Sequence, residues 1–304
     1  AQETEPLKTD SDADGLSDLV EINVLSTNPL SIDSDGDGTN DGEEDFDSDS
    51  LSNSDEINIH GTNPNLPDTD GDGIRDAIEL NLLNTKPLTP DSNNNGVNDG
   101  DEDSDSDGLT DADELNIYGT SPLNKDTDSD GSSDADELNK YKTNPLSIDS
   151  DKDGLSDGDE INIHKTDPLE KDSDNDGLSD ANEVQVLGTD PLKNDTNGNG
   201  ITDGNEDTDS DGLTDADELN NYKTRPKIPD TDMDGINDGD EIALEIDPLK
   251  ADSDEDGIID GNEDSDSDGL NDADELYIHK TDTLAIDSDN DGLSDRIEIF
   301  LIGT

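Results

Sequence analysis

Apolar residues in this chain are sparse, but they keep a register. With each repeat numbered from its first aspartate, they recur at slots 7, 13, 16 and 21, as in Leu109, Leu115, Tyr118 and Leu123. Between them, oxygen-bearing side chains stand at slots 1, 3, 5, 9 and 12, and slot 6 is almost always Gly. The first copy reads DSDADGLSDLVE, from Asp10 to Glu21. Fifteen copies follow one another at spacings of 23 or 12 residues, with one spacing of 22. A fixed period of this size marks a repeat array, not a compact domain.

The pattern predicts its own elements. Slots 1 to 6 form a tight loop in which Gly supplies a positive φ. Asp-x-x-Glu from slot 9, as in Asp111 to Glu114, has helix-start spacing with slot 9 as N-cap and slot 12 as N3. Slots 13 and 16 lie one turn apart. Gly at slot 17 (Gly61, Gly119, Gly188, Gly303) reads as a C-cap, and Pro at slot 20 stops the helix. Each long unit is therefore expected to be a loop, a helix of about two turns and a Thr-x-Pro turn. Slots 7, 13, 16 and 21 would form a thin apolar spine.

The short spacings join loops end to end at Glu44/Asp45, Glu102/Asp103, Glu206/Asp207 and Glu263/Asp264. The first loop of each pair has Gly at slot 10 (Gly42, Gly100, Gly204, Gly261). Gly disfavours a helix interior, so these joints are expected to be nearly non-helical. The 22-residue unit from Asp230 lacks one spacer residue and the usual Thr. The organisation expected is one tandem array over 1–304, without a separate globular domain. It is cut within a spacer at both ends, at Thr4-Glu5-Pro6-Leu7 and at Gly303-Thr304.

Composition sharpens this. The chain has 88 Asp and Glu against 16 Lys and Arg, for a formal net charge of -72. Only 25% of residues are hydrophobic and 2% aromatic. Such a chain cannot bury an ordinary core and would stay disordered on its own. Metal binding is the energy source that can order it. There is no cysteine, which excludes disulfides and thiolate metal sites. No apolar run approaches a membrane span, and nucleic acid and anionic membranes would be repelled.

The charge is concentrated in the loops. The candidate ligands are Asp10, Asp12, Asp14, Asp18 and Glu21; Asp33, Asp35, Asp37, Asp41 and Glu44; Asp45, Asp47, Asp49, Asn53 and Glu56; Asp68, Asp70, Asp72, Asp76 and Glu79. They continue as Asp91, Asn93, Asn95, Asp99 and Glu102; Asp103, Asp105, Asp107, Asp111 and Glu114; Asp126, Asp128, Asp130, Asp134 and Glu137; Asp149, Asp151, Asp153, Asp157 and Glu160. The rest are Asp172, Asp174, Asp176, Asp180 and Glu183; Asp195, Asn197, Asn199, Asp203 and Glu206; Asp207, Asp209, Asp211, Asp215 and Glu218; Asp230, Asp232, Asp234, Asp238 and Glu241; Asp252, Asp254, Asp256, Asp260 and Glu263; Asp264, Asp266, Asp268, Asp272 and Glu275; Asp287, Asp289, Asp291, Asp295 and Glu298. Seventy of these 75 positions are acidic, a placement that a merely solvated acidic tail would not show.

Calcium takes six to eight oxygens in flexible geometry, whereas magnesium demands a stricter octahedron. Slots 1, 3 and 5 point inward as the loop curls, the slot 7 carbonyl adds an oxygen, and Glu at slot 12 closes the site. Crowded carboxylates repel one another strongly without a cation. Fifteen calcium ions, one per loop, would lower the formal net charge from -72 to -42. The loops at Asp91 and Asp195 each offer two Asn among their ligands, which weakens attraction for the ion. They are expected to release calcium first.

The loop D-x-D-x-D-G-x-x-D with an acid at slot 12, repeated at 12 and 23 residues, resembles the thrombospondin type 3 repeat. The spacer GTDPL, Gly188 to Leu192, is similar to its bacterial form. It is EF-hand-like, but the apolar residue stands at slot 7 and no entering helix precedes the loop. The resemblance implies a calcium-stabilised repeat array, elongated, with mostly irregular loops, short α-helices and almost no β-structure. It implies an extracellular or cell-surface setting, and the missing cysteines point to a bacterial or archaeal protein.

The reading is a structural calcium-binding array: a rod, stalk or filament whose partners are calcium and, in a fibre, neighbouring array segments. A calcium sink or mineral-nucleating protein and a dockerin-like recognition module are the alternatives. Nothing pairs a nucleophile with a base, so no enzyme is expected. His60, His164 and His279 all occupy slot 16 and are read as spine residues. Ser or Thr at slot 2 has two readings: a turn-favouring residue, or a row of hydroxyls carrying O-glycans.

Overall fold

The computed structural model describes residues 9–302; the spacer tail at 4–7 and the C-cap expected at Gly303 lie outside them. The chain divides into two units, Ala1–Ile148 and Asp149–Thr304. Each is a succession of acidic loops and short helical turns, and no strand occurs among the described residues.

Every loop curls because two positions take left-handed backbone. Slot 6 does so with Gly, at φ +111° in Gly154. Slot 4 does so mostly with non-glycine residues, at φ 66° in Lys152 and φ 67° in Met233. The slot 1 carboxylate supports the turn by accepting backbone N–H bonds from both sides of slot 5: Asp68 takes Gly71 at 2.7 Å and Gly73 at 3.0 Å. The slot 9 N–H then closes the loop on the carbonyl preceding slot 1, as in Asp76 to Pro67 at 3.0 Å.

The helix that follows starts one residue earlier than its sequence spacing implies. The N-cap is slot 8, where Ser17, Ser52, Thr110 and Ser156 sit in extended backbone and accept from the slot 11 N–H. Slot 9 cannot cap because both of its oxygens are held by slot 2. Asp76 accepts from the Thr69 N–H at 2.8 Å and from its hydroxyl at 2.6 Å.

The helix is also not uniform. One α-helical turn, such as Asp157–Asp159, passes into a π-helical turn, Glu160–His164. The slot 17 residue is left-handed and donates to the slot 12 carbonyl five residues back, at 2.6 Å for Gly61 to Glu56 and for Lys165 to Glu160. Gly61, Gly119 and Gly188 cap as expected, but Lys142, Lys165, Lys223 and Lys280 take the same conformation. Each of these lysines also donates its Nζ to a freed carbonyl of the turn, as Lys142 does to Leu138 at 2.8 Å. A π-turn accommodates one residue more than an α-turn. The unit from Asp230, one residue short, confirms this: its helix Asp238–Leu244 stays α throughout.

The spine differs from expectation. Slot 7 is buried in most long units (Leu16, Ile74, Leu178, Ile236) but exposed at the joints (Val97, Ile201, Ile258), and the slot 20 prolines such as Pro145 and Pro168 are buried. Slot 13 is half-buried in most units, as are the slot 16 histidines; His279 meets the Phe300 ring edge-on at 6.0 Å. The slot 21 leucines, among them Leu88, Leu123 and Leu146, remain about half exposed.

Three of the four joints are single 3-10 turns, at Asp99–Asp101, Asp203–Asn205 and Asp260–Asn262, and the fourth is a plain turn at 41–43. Their slot 10 Gly has a second reason beyond weak helix propensity. A Cβ on Gly100 would lie 2.3 Å from the Asp72 carbonyl oxygen, and one on Gly42 would lie 2.3 Å from that of Asp14. Gly100→Ala should therefore destabilise the calcium-loaded chain by about 1–3 kcal/mol, as overpacking does. Urea unfolding in saturating calcium measures it, and a change within error would refute the close approach.

Candidate calcium loops

The interior of this protein is built from carboxylates. Glu21, Glu56, Glu79, Glu114, Glu137, Glu160, Glu183 and Glu218, all at slot 12, are among the largest fully buried side chains. Asp76, Asp134, Asp157, Asp180 and Asp238, at slot 9, are equally enclosed.

The loop from Asp68 to Glu79 shows the design. One carboxylate oxygen from each of Asp68, Asp70 and Asp72 lies within 4.8 Å of the others. Asp72 uses Oδ1 to accept from the Ile74 N–H at 2.9 Å. Glu79 uses Oε1 to accept from the Thr85 hydroxyl at 3.0 Å. Asp72 Oδ2, Glu79 Oε2 and both Asp70 oxygens are buried without a protein donor. Buried anionic oxygens without partners are strongly unfavourable. In Asp72 and Glu79 the partnerless oxygen is turned inward by its twin, which is held in place.

The same arrangement recurs. Slot 12 Oε2 is unpartnered in Glu21, Glu56, Glu114, Glu137, Glu160, Glu183, Glu218 and Glu275. The slot 18 threonine donates to the other oxygen in every case, from 3.0 Å at Thr189 and Thr281 to 3.5 Å at Thr27. This clamp was not read from the sequence, where Thr counted only as part of a turn. Its signal was its presence in every 23-residue unit that carries a helix and its loss, with one residue, in the 22-residue unit. There Ile246 follows the left-handed Glu245, and both oxygens of Glu241 stand unpartnered.

Burial drives the acidities upward. Glu79 is pushed to about 8 by burial, with Asp70, Asp72 and Asp76 adding repulsion against the Thr85 bond. Glu160 likewise stands at about 8, and unclamped Glu241 at about 9. Asp47, Asp128, Asp151 and Asp209, at slot 3, are raised to about 6 by burial and then by their slot 5 neighbours. Groups in this state trade a proton for a cation.

Successive loops share residues. Asp14 and Glu21 of the first loop meet Asp41 of the next, all buried, with ligand oxygens within 4.8 Å. Slot 5 Oδ2 also accepts the slot 10 N–H of the following loop: Asp107 from Ala135 at 3.0 Å, Asp153 from Ala181 at 2.8 Å, Asp176 from Gly204 at 2.9 Å. So slot 9, a candidate ligand of its own loop, also stands against the loop before it, as Asp41 does. Asn53 keeps that place by accepting from the Phe46 N–H and donating to the Asp41 carbonyl.

The donor set suits a hard cation. Oxygens alone converge, the arrangement that suits calcium, magnesium or manganese. The slot 2 hydroxyls face inward: Ser11, Ser34, Ser104, Thr127 and Ser150 all donate to slot 9 carboxylates.

These loops, with their short helical turns and fixed spacing, define a repeat protein built around acidic cation loops. The chain belongs to the bacterial TSP3 repeat family, which matches residues 10–31, 51–67, 68–90, 103–125, 126–147, 149–171, 172–194, 207–224, 230–251, 264–282 and 287–304. Repeats of this family are structural and of the calcium-binding type. No curated protein matches the chain. Among solved structures, the B domain of a biofilm associated protein is similar at 46% identity over 15% of this chain and 11% of that one, with a TM-score of 0.15. The BSP domain of a biofilm associated protein is similar at 47% identity over 15% of this chain and 8% of that one, also with a TM-score of 0.15. The chain thus spans about a tenth of either structure, and matches this short do not bear on its fold.

Two outcomes follow from the site. Thr166→Val removes the hydroxyl bond to Glu160, 3.1 Å long. It should weaken calcium at loop 149–160 by roughly 10- to 100-fold, the usual cost of losing an outer-shell partner. The Gly154 amide resonance followed through a calcium titration reads this, and an unshifted midpoint would deny the clamp. The second outcome concerns pH. The buried Glu are raised in the folded state, so the metal-free fold binds more protons than the unfolded chain between about 4.5 and 8. Its stability falls as pH rises through that window. In chelator the chain should be more ordered at pH 5 than at pH 8, by circular dichroism, while calcium affinity rises with pH. Equal order at both values would contradict the burial argument.

Proposed function

We propose that this chain is an extracellular structural segment that calcium converts from a loose polyanion into a semi-rigid rod. The observation that carries this is the convergence, loop after loop, of buried carboxylate oxygens that no protein donor reaches. Calcium is the ion that the flexible, all-oxygen donor set fits best. One ion in each loop with aspartates at slots 3 and 5 accounts for slots 1, 3, 5 and 12. The cluster of Asp14, Glu21 and Asp41 supports a further ion shared between those two successive loops. Extracellular calcium modules bind with dissociation constants of about 0.1–1 mM. Such loops fill outside the cell and stay empty in most cytoplasms. No helix among the described residues is long and apolar enough to cross a membrane.

The reading makes order conditional on calcium, because so small an apolar content cannot offset chain entropy of roughly 1–2 kcal/mol per residue. Small-angle scattering should give a rod-like profile in millimolar calcium and an expanded coil in EDTA. An unchanged profile would refute the proposal.

A further inference from the structure

Two loops are built differently at their centres. In loop 149–160 the slot 3 and slot 5 aspartates each use Oδ1 to accept a backbone N–H two residues on: Asp151 from Asp153 at 3.0 Å, Asp153 from Leu155 at 2.7 Å. The second oxygen of Asp151 is left buried and unpartnered. In loops 91–102 and 195–206 the same two backbone bonds are present, but asparagines accept them. Asn93 accepts from Asn95 at 2.9 Å and Asn95 from Val97 at 2.8 Å. Asn197 accepts from Asn199 at 3.0 Å and Asn199 from Ile201 at 2.7 Å.

Those bonds fix which way each amide faces. The oxygen must meet the backbone N–H, because the opposite orientation would set one donor against another. The NH2 group therefore occupies the place where an aspartate presents its second oxygen. Both amides in each loop donate to one oxygen of the closing glutamate: Asn93 and Asn95 to Glu102 Oε1, each at 2.7 Å, and Asn197 and Asn199 to Glu206 Oε1 at 2.6 and 2.7 Å. Two charge-assisted hydrogen bonds to one carboxylate are strong, and they occupy the centre where a cation would sit.

We infer that loops 91–102 and 195–206 are metal-independent joints, closed by their own asparagine amides in place of calcium. This rests on the reading of the other loops as calcium sites. It replaces the expectation that these two loops bind calcium weakly and release it first. One joint lies in each of the two units, and each is the first member of an end-to-end pair. Each is also tied to the preceding loop by its slot 10 residue: Gly204 donates to Asp176 at 2.9 Å, and Gly100 lies against the Asp72 carbonyl. The array therefore carries metal-independent ties among its calcium-dependent loops.

Native mass spectrometry of the full chain in calcium counts the bound ions one by one. Asn93→Asp with Asn95→Asp should add one calcium to the wild-type count, because it restores the inward oxygens. Asp151→Asn with Asp153→Asn should remove at least one, because it builds the amide closure into a calcium loop. An unchanged count in the first variant, while calcium binds elsewhere, would show that loop 91–102 is already loaded and would overturn the inference. An unchanged count in the second would overturn it too, since the amide pair would then fail to exclude the ion. A chain that binds no calcium in any of the three forms would instead refute the calcium reading itself.

Discussion

Everything in this protein depends on carboxylate oxygens buried where no protein donor reaches them. An ordinary domain encloses apolar side chains; this one encloses Glu79, Asp72 and their counterparts. Such an interior is unfavourable by itself, and the raised acidities record the strain as a preference for protons. A divalent ion reverses the sign, because the charges that repel one another then have a common partner. The small apolar content ceases to be a defect. Slot 7 and slot 20 residues need only cover the loops, not drive their formation.

The second constraint is that no loop is complete alone. Slot 9 is anchored by slot 2 and faces the loop before it, and slot 5 accepts an amide from the loop after it. The slot 10 glycines follow from this intimacy, since a neighbouring carbonyl already stands where their Cβ would be. The π-turn follows from the clamp: the extra residue brings Thr to slot 18, where its hydroxyl reaches the slot 12 carboxylate. Where one residue is missing, after Asp230, both the π-turn and the clamp are gone.

Much of this was legible in the sequence. The slot 6 glycines and the slot 17 cap follow from spacing and side-chain type, and the irregular repeat architecture with almost no β-structure is what the resemblance to the thrombospondin type 3 repeat implies. What escaped was relational. The N-cap was misplaced by one residue because Asp76 reads as a good cap until its bonds to Thr69 are known. The bond from Ala181 to Asp153 spans 28 residues, and no local pattern announces it. Leu123 reads as spine and Pro122 as the stop of a helix, but the proline is buried and the leucine half exposed. Asn93 and Asn95 share oxygen ligands with aspartate in composition, and only the backbone bonds show which end of each amide faces inward.

The slot 5 to slot 10 bonds have a mechanical consequence. Those joining Asp107 to Ala135, Asp153 to Ala181 and Asp268 to Arg296 each close a span of 28 residues. Fully extended, a span of that length reaches on the order of 90–100 Å. Under a pulling force, each such bond with its flanking loops acts as a latch on stored slack. Because units of an array yield separately, the latches would release in succession, and the chain would lengthen in steps.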